Sequence, residues 1–259
     1  MIPTKAVKTT ALTILRGHWA NSVVIALIPV FATVLITLVG SVLTIPLGAF
    51  SAIIDIFLVV FLLSPLWIGV LRVYWRMGNG IYDTPAETFY YFENRKNYLR
   101  ALSFSIKFAL NILVFEFIIS IPVMVFDFVT SGYLFELINM PMPVILVELK
   151  FLLYLLEIIV LVLTVMHLIR YYLSAFLLVS NEDMKPGECI KRGEEIGKHT
   201  KGGFANCVFS YTGWILLTVF MIPVIFTAPY LIMSYMVACR FDVAYYNRLG
   251  QNTVPVYEV

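Results

Sequence analysis

Six ionisable side chains lie within or at the edges of long apolar segments of this chain. They are Asp55, Lys107, Glu116, Lys150, Glu157 and His167. A charge inside a lipid bilayer is costly, so each is a candidate for function by default. Glu116 and Glu157 stand midway along two such segments, where they could bind a proton or a cation. Alternatively, they form ion pairs or hydrogen bonds that tie neighbouring spans together.

The spacing of these residues suggests specific ion pairs. Lys150 and Glu157 are seven residues apart and share one helix face. We expect Glu157 to pair with Lys107 on the inner side, and Asp55 or Glu116 to pair with Lys150 on the outer side. A functional site and a set of structural ties are both compatible with this pattern.

His167 and the polar segments offer little catalytic chemistry. No histidine or cysteine stands at metal-ligand spacing from His167, so we expect it to make a hydrogen bond. Residues 193–200 resemble a phosphate-binding loop, but three residues separate the glycines where that motif has four, and His199 follows Lys198. We interpret this segment as a helix C-terminus with Gly197 as its cap. The sequence predicts no enzyme activity, no cofactor, no metal and no nucleotide.

The composition indicates a membrane protein. Hydrophobic residues make up 61% of the 259 residues and charged residues 13%, about half the charge of a soluble domain. The net charge of +2 does not indicate a nucleic-acid partner. Basic residues cluster in every second connection between apolar segments, which predicts a multi-pass protein of the bacterial plasma membrane with both termini in the cytoplasm.

The apolar segments predict six transmembrane helices in one integral membrane domain, residues 1–259. A span needs about 20 apolar residues. The uncharged run 202–239 is too long for one span, and we divide it near Pro223 and Pro229. The predicted spans are residues 20–44, 51–76, 99–126, 144–172, 203–224 and 227–246.

Short polar segments precede each pair of spans. They predict interfacial helices at residues 3–17, 84–97 and 184–198. In the second, Thr84 and Glu87 form a capping-box pattern around Pro85. One polar segment followed by two apolar segments recurs three times, which indicates three repeated units of an interfacial helix plus a membrane hairpin. Alternatively, no repeat is involved, because any inner-membrane protein places Arg and Tyr at the cytoplasmic interface. The helices could lie among lipid headgroups or pack against the inner ends of the spans.

Three short segments carry a family resemblance. They are Pro-Leu-Trp-Ile-Gly at 65–69, Tyr-Thr-Gly-Trp at 211–214 and Pro-Tyr at 229–230. Together they resemble the bacterial integral-membrane family called domain-of-unknown-function family 975. The layout is also similar to the membrane domain of some glycerophosphodiesterases. The resemblance implies six spans in a bacterial plasma membrane, and it implies no established activity.

Three functions remain open from the sequence. The first is a non-catalytic membrane module that binds membrane lipids, another membrane protein or a second copy of itself, in envelope maintenance or export. The second is a small transporter or channel that uses Glu116 and Glu157 with Lys107 and Lys150. The third is an intramembrane lipid-modifying enzyme, for which His167 with Glu157 is the only candidate pair.

Overall fold

Helices joined by short turns and loops make up the part of the chain that the computed structural model describes, which comprises residues 4–47, 54, 56–130, 150–217 and 221–249. No β-strand occurs within those residues. Among the described residues, five helices are long and apolar enough to cross a membrane: Trp19–Val42, Ile56–Gly78, Arg95–Val129, Phe151–Ser180 and Pro223–Arg248. The prediction of an all-helical fold with several membrane-spanning candidates is therefore confirmed, and the sixth span stays a prediction.

Ten helices follow one another along the described residues. They are α1 (Thr4–Leu15), α2 (Trp19–Leu47), α3 (Ile56–Gly78), α4 (Tyr90–Glu93), α5 (Arg95–Thr130), α6 (Lys150–Leu168), α7 (Leu173–Ser180), α8 (Pro186–Phe209), α9 (Thr212–Leu217) and α10 (Met221–Arg248). α3 contains a π-helical stretch over Val59–Leu63. 3₁₀ turns at Pro85–Phe89 and Ile169–Tyr171 precede α4 and α7.

The chain forms two compact units. The first comprises residues 1–107 and 170–259, and the second comprises residues 108–169. The second unit is therefore a hairpin made of most of α5 and of α6. That the whole chain forms one integral membrane domain stays a prediction.

The predicted boundary between the fifth and sixth spans, at residues 224–227, is wrong. Pro223 and Pro229 both lie within the continuous helix α10. A proline in the first helical turn removes an N–H that has no partner there in any case, so Pro223 is compatible with a helix start. The predicted fifth span, 203–224, comprises the end of α8, a turn at 210–211, α9 and the start of α10, with 218–220 outside the described part.

Two other predicted elements have different limits. The fourth span, predicted at 144–172, continues through the 3₁₀ turn to Ser180. The interfacial helix predicted at 84–97 is interrupted at Asn94, whose backbone is extended. Asn94 Oδ1 accepts a hydrogen bond from the Lys96 amide at 3.0 Å, so Asn94 acts as the N-cap of α5. The threefold repeat stays a prediction.

The interpretation of Gly197 as a helix cap is also wrong, because α8 runs without interruption from Pro186 to Phe209. A Cβ on Gly193 would stand 2.3 Å from Ser174 Oγ, and one on Gly197 would stand 2.1 Å from the Arg170 carbonyl oxygen. Both glycines are needed because α8 approaches α7 and the preceding 3₁₀ turn closely. They form a contact between helices and do not end one.

A Schellman motif ends α3. Gly80 has φ +80°, its amide donates to the Met77 carbonyl at 3.0 Å, and the Ile81 amide donates to the Arg76 carbonyl at 3.0 Å. Arg240 of α10 donates to the Gly78 carbonyl at 2.7 Å and also bonds Asn79 Oδ1. The positive guanidinium at the negative end of the helix dipole fixes α10 against α3.

Candidate functional site

A cavity of about 250 Å³ in the second unit contains the two glutamates predicted at the middle of spans three and four. Glu116 and Ser120 line it from α5, and Glu157 and Thr164 line it from α6. Both carboxylates are exposed. Two acids and two hydroxyls around one cavity could bind a proton, a cation or a polar group on another transmembrane helix.

His167 connects the two helices of the same hairpin. Its Nε2 lies 3.2 Å from Asn111 Oδ1, and its ring stacks on Phe115 with centroids 3.8 Å apart. Because an amide oxygen only accepts, the hydrogen bond requires the proton on Nε2. The structure therefore supports the expectation that His167 makes a hydrogen bond, here between α5 and α6.

The hairpin helices differ from the other long helices in burial. In the most apolar stretch of α5 and of the α6–α7 span, 0% of the residues are buried, compared with 28%, 39% and 50% in the other three long helices. The surfaces that carry Glu116 and Glu157 are therefore open in the described part of the chain. A surface with two acids in its apolar stretch is expensive to leave facing lipid.

The other charged residues that the sequence suggested for this site, Asp55, Lys107 and Lys150, are not among the described residues that line the cavity. Asp55 lies outside the described residues, as does the side chain of Lys150. Lys107 belongs to the first unit, where its Nζ lies 3.6 Å from the position of a Cβ on Gly187. The ion pairs proposed for Lys107 and Lys150 stay predictions.

A second polar cluster, which the sequence did not reveal, lies in the first unit. Tyr172 donates a hydrogen bond to Asp242 Oδ2, and its hydroxyl lies 2.8 Å from Thr200 Oγ1. The Tyr172 ring stacks on Phe204 at 3.8 Å. Asp242 is only 2% exposed. In the sequence, Asp242 is visible only as an acid among basic and aromatic residues near the end of α10. In that position it resembles an ordinary charge at the membrane interface.

Arg72 of α3 is a buried cation that pairs with two acids at the surface. Its guanidinium lies 3.4 Å from Glu87 and 3.6 Å from Glu182, and it stands 3.5 Å from the centroid of the Tyr90 ring. Arg72 is 6% exposed. A buried charge must be paired, and here the pairs tie the 3₁₀ turn before α4 and the loop after α7 to α3. Glu87 thus bonds Arg72, and Thr84 makes no side-chain capping bond within the described residues.

Arg100 of α5 caps the end of α7. Its Nη2 lies 3.0 Å from the Leu178 carbonyl and 3.2 Å from the Met184 carbonyl, and it also bonds the Asn181 carbonyl. The last carbonyls of a helix lack partners within the helix, and Leu178 lies in the last turn of α7, whereas Asn181 and Met184 follow the helix. Arg100 and Arg240 therefore both serve packing within the first unit.

No group of three or more histidine, cysteine or acidic side chains that could hold a metal ion occurs among the described residues. Cys189, Cys207 and Cys239 are free and buried. Burial raises the pKa of Cys189 to about 11, which disfavours the nucleophilic thiolate. The described cysteines therefore have the environment of structural residues.

The motif residues of the resemblance have specific packing roles. Gly69 allows α3 to approach the 3₁₀ turn, since a Cβ there would lie 1.9 Å from the Thr88 carbonyl oxygen. Tyr211 and Trp214 each form an edge contact with Tyr230, at 5.5 Å between ring centroids. Two of the three segments, 211–214 and 229–230, therefore meet in space.

Comparison with known proteins identifies a family whose function is unknown. No curated protein matches the chain, and no solved structure does. The similarity in layout to the membrane domain of glycerophosphodiesterases is not shown. Residues 1–252 match the family described as "Protein of unknown function (DUF975)", and the chain belongs to that family.

Proposed function

We propose that this protein is a non-catalytic, six-span protein of the bacterial plasma membrane whose α5–α6 hairpin binds a transmembrane helix of a partner protein. The observation that carries the proposal is the hairpin's unburied apolar surface with Glu116 and Glu157 on one cavity. We also propose that it acts as an accessory in envelope maintenance or export. The basic residues cluster in every second connection between apolar segments, which favours a cytoplasmic location for both termini.

The physical argument is the cost of carboxyl groups against lipid. Ser, Thr and acidic side chains in a bilayer become favourable when they hydrogen-bond across helices. The cavity presents two carboxyls with Ser120 and Thr164. A partner helix with a basic or hydrogen-bonding side chain at the same depth would satisfy them. The sixth crossing would consist of the end of α8 together with α9.

Site-specific photocrosslinking in native membranes tests this proposal. A photoreactive phenylalanine replaces Leu161, which lines the cavity, or Met166, which lies about two and a half helix turns from Glu157 and so on the opposite face. We expect a discrete protein product from position 161 and none from position 166. A product of twice the chain mass would identify a second copy as the partner.

Variants of the two glutamates complete the test. Glu116→Leu with Glu157→Leu should abolish the discrete product without lowering the amount of protein in the membrane. Equal crosslinking from positions 161 and 166, or a product that persists in the double variant, would refute the partner-binding hairpin.

A transporter is the second candidate, because Glu116 and Glu157 line one cavity. On this view the two acids bind a proton or a cation during transport, with Lys107 and Lys150 as partners. Glu157→Gln should then abolish flux in proteoliposomes while the protein stays folded. If this variant lowers only thermal stability, the transport hypothesis fails. An intramembrane enzyme is disfavoured, because His167 Nε2 is engaged by Asn111.

A further inference from the structure

A second cavity, of about 200 Å³, lies between α8, α9 and α10 in the first unit. Its walls are mainly hydrocarbon and aromatic, from residues such as Phe204, Ile215, Leu231 and Ala238. No part of the hairpin contributes to it, so it is separate from the site of the proposed function. Cavities with such walls bind apolar groups and do not hold clusters of water.

Two buried hydroxyl groups also line this cavity. Tyr211 is 4% exposed and Ser234 is 3% exposed. The two hydroxyls lie close enough to interact with one another, and the Tyr211 hydroxyl also interacts with that of Tyr230, but within the described part of the chain neither Tyr211 nor Ser234 has a partner of full hydrogen-bond geometry. Buried hydroxyls are nearly always well hydrogen-bonded in folded proteins, so an acceptor oxygen in the cavity would complete the bonding of both groups.

A water molecule alone does not account for the site. One water bridging the two hydroxyls would occupy about 30 Å³, which leaves most of the cavity to apolar contacts. The occupant therefore needs an apolar body and at least one acceptor oxygen. Ring contacts with Tyr230 hold the Tyr211 hydroxyl in place for such an acceptor.

A cation lies next to the same tyrosine. Lys8 Nζ of α1 stands 4.7 Å from the centroid of the Tyr211 ring and donates to the Ser210 carbonyl at 2.8 Å. An ammonium group has three N–H donors, so this bond fixes its position without using its full capacity. The positive charge favours an anionic group on the occupant.

We propose that this cavity binds the acyl chain of an anionic membrane amphiphile. The chain lies against Phe204, Leu231 and Ala238. A carbonyl or carboxyl oxygen accepts hydrogen bonds from Tyr211 and Ser234, and the negative group faces Lys8. A free fatty acid and an anionic phospholipid share this chemistry, and the experiment distinguishes them.

Photoaffinity labelling of the full-length protein in nanodiscs tests the proposal. The probes are a diazirine fatty acid, a diazirine phosphatidylglycerol and a neutral diazirine diacylglycerol. We expect label on α8–α9 or α10 residues of the cavity from one anionic probe. The anionic probe that labels the cavity more efficiently shows whether the ligand is a fatty acid or a phospholipid. Lys8→Gln should lower labelling by that anionic probe at least threefold and should leave labelling by the neutral probe unchanged.

Variants of the cavity make the test specific. Tyr211→Phe with Ser234→Ala, and separately Ala238→Leu, should lower labelling at least fivefold. Tyr154→Phe, at an exposed tyrosine of the hairpin, is the matched control and should leave it unchanged. Label spread evenly over lipid-facing helices, or equal labelling in the cavity variants, would overturn the proposal.

The melting temperature of the variant that lacks the two hydroxyls provides a second readout, which shows whether a change in labelling comes from a loss of stability. Removing unsatisfied buried hydroxyls should leave the melting temperature of delipidated protein equal or higher. A lower melting temperature with unchanged labelling would show that Tyr211 and Ser234 serve packing, and the proposal would fall.

Discussion

The Tyr172 hydroxyl donates a hydrogen bond to the Asp242 carboxylate and so joins the start of α7 to α10. The bond is charge-assisted when Asp242 is ionised, and Thr200 of α8 lies on the same hydroxyl. Three helices of the first unit therefore meet at one polar cluster. Because the cluster is buried and the Tyr172 hydroxyl contacts both other members, loss of that hydroxyl removes one hydrogen bond from Asp242 and one from Thr200.

Removing the Tyr172 hydroxyl should destabilise the protein measurably. We expect Tyr172→Phe to lower the free energy of unfolding by about 1–3 kcal/mol, because Asp242 and Thr200 each lose a hydrogen bond in a buried site. Thermal unfolding in detergent measures the change. Tyr154→Phe, on the exposed face of α6, should have no measurable effect. Equal melting temperatures for Tyr172→Phe and wild type would show that the cluster carries no stability.

The glycines of α8 allow a prediction with an internal control. Gly193→Ala and Gly197→Ala should each destabilise the protein by about 1–3 kcal/mol, because the added Cβ meets Ser174 or the Arg170 carbonyl. Gly202→Ala in the same helix meets nothing within 4 Å and should stabilise by about 0.5–1 kcal/mol. Thermal unfolding of the three variants measures these shifts. If all three move in the same direction, the close approach of α8 and α7 is not the reason for the glycines.

The contact of Arg100 with the end of α7 is expected to depend on the reach of the side chain. Arg100→Ala should lower the free energy of unfolding by about 1.5–3 kcal/mol, because charged hydrogen bonds to the Leu178, Asn181 and Met184 carbonyls are lost. Arg100→Lys should recover only part of this, because all three bonds come from Nη2 and the shorter lysine side chain places its ammonium short of that position. Chemical or thermal unfolding measures both changes.

Arg95, exposed at the start of α5, supplies the control for this cap. A cation at a helix N-terminus opposes the dipole, so Arg95→Ala should be neutral or slightly stabilising. A loss of stability in Arg95→Ala equal to that in Arg100→Ala would mean that net charge, and not capping, explains the effect.

The sequence predicted those features that depend on local pattern. The long apolar helices and Glu116 with Glu157 were visible because a charge inside an apolar segment stands out. Asp242 was not visible, since an acid next to Arg240 looks like an interfacial charge until Tyr172 and Thr200 are placed against it. Gly197 was misread for a similar reason: a glycine followed by lysines fits a helix end, and only the packing of α7 on α8 explains it.

The span boundary near Pro229 shows the same limit. Proline is a strong local signal for a break, and the uncharged run 202–239 exceeds one span. The structure nevertheless continues α10 through Pro229. Proline is tolerated within membrane helices, where other groups can satisfy the backbone carbonyl that loses its donor. A proline and the length of an apolar run therefore do not by themselves locate the end of a helix.

Cys189 should react poorly with thiol reagents in the folded protein. Its side chain is 0% exposed, and burial raises its pKa from 9.0 to about 11. Two pKa units lower the thiolate fraction at pH 8 about 100-fold relative to an exposed thiol. The folded state retains this proton between pH 9 and 11 while the unfolded state loses it, so the contribution of Cys189 to stability declines as the pH rises through that range.

Labelling with a maleimide at pH 7.5, followed by mass spectrometry, measures this reactivity. We expect labelling of Cys189 only after denaturation. Rapid labelling of the native protein at pH 7.5 would contradict the buried position of this thiol in α8.

The orientation in the membrane can be tested with cysteines placed at exposed positions. The wild-type chain supplies the blank, because its three cysteines are buried. Asp127→Cys lies near the C-terminal end of α5 and Lys191→Cys lies on α8, and both of these positions are exposed. With a membrane-impermeant maleimide on intact cells, we expect labelling at position 127, and labelling at position 191 only after permeabilisation. The basic residues around position 191 favour the cytoplasm, which is the physical reason for this direction. The reverse pattern would invert the topology. Labelling of both positions in intact cells would place α8 and the C-terminal end of α5 on the same side of the membrane.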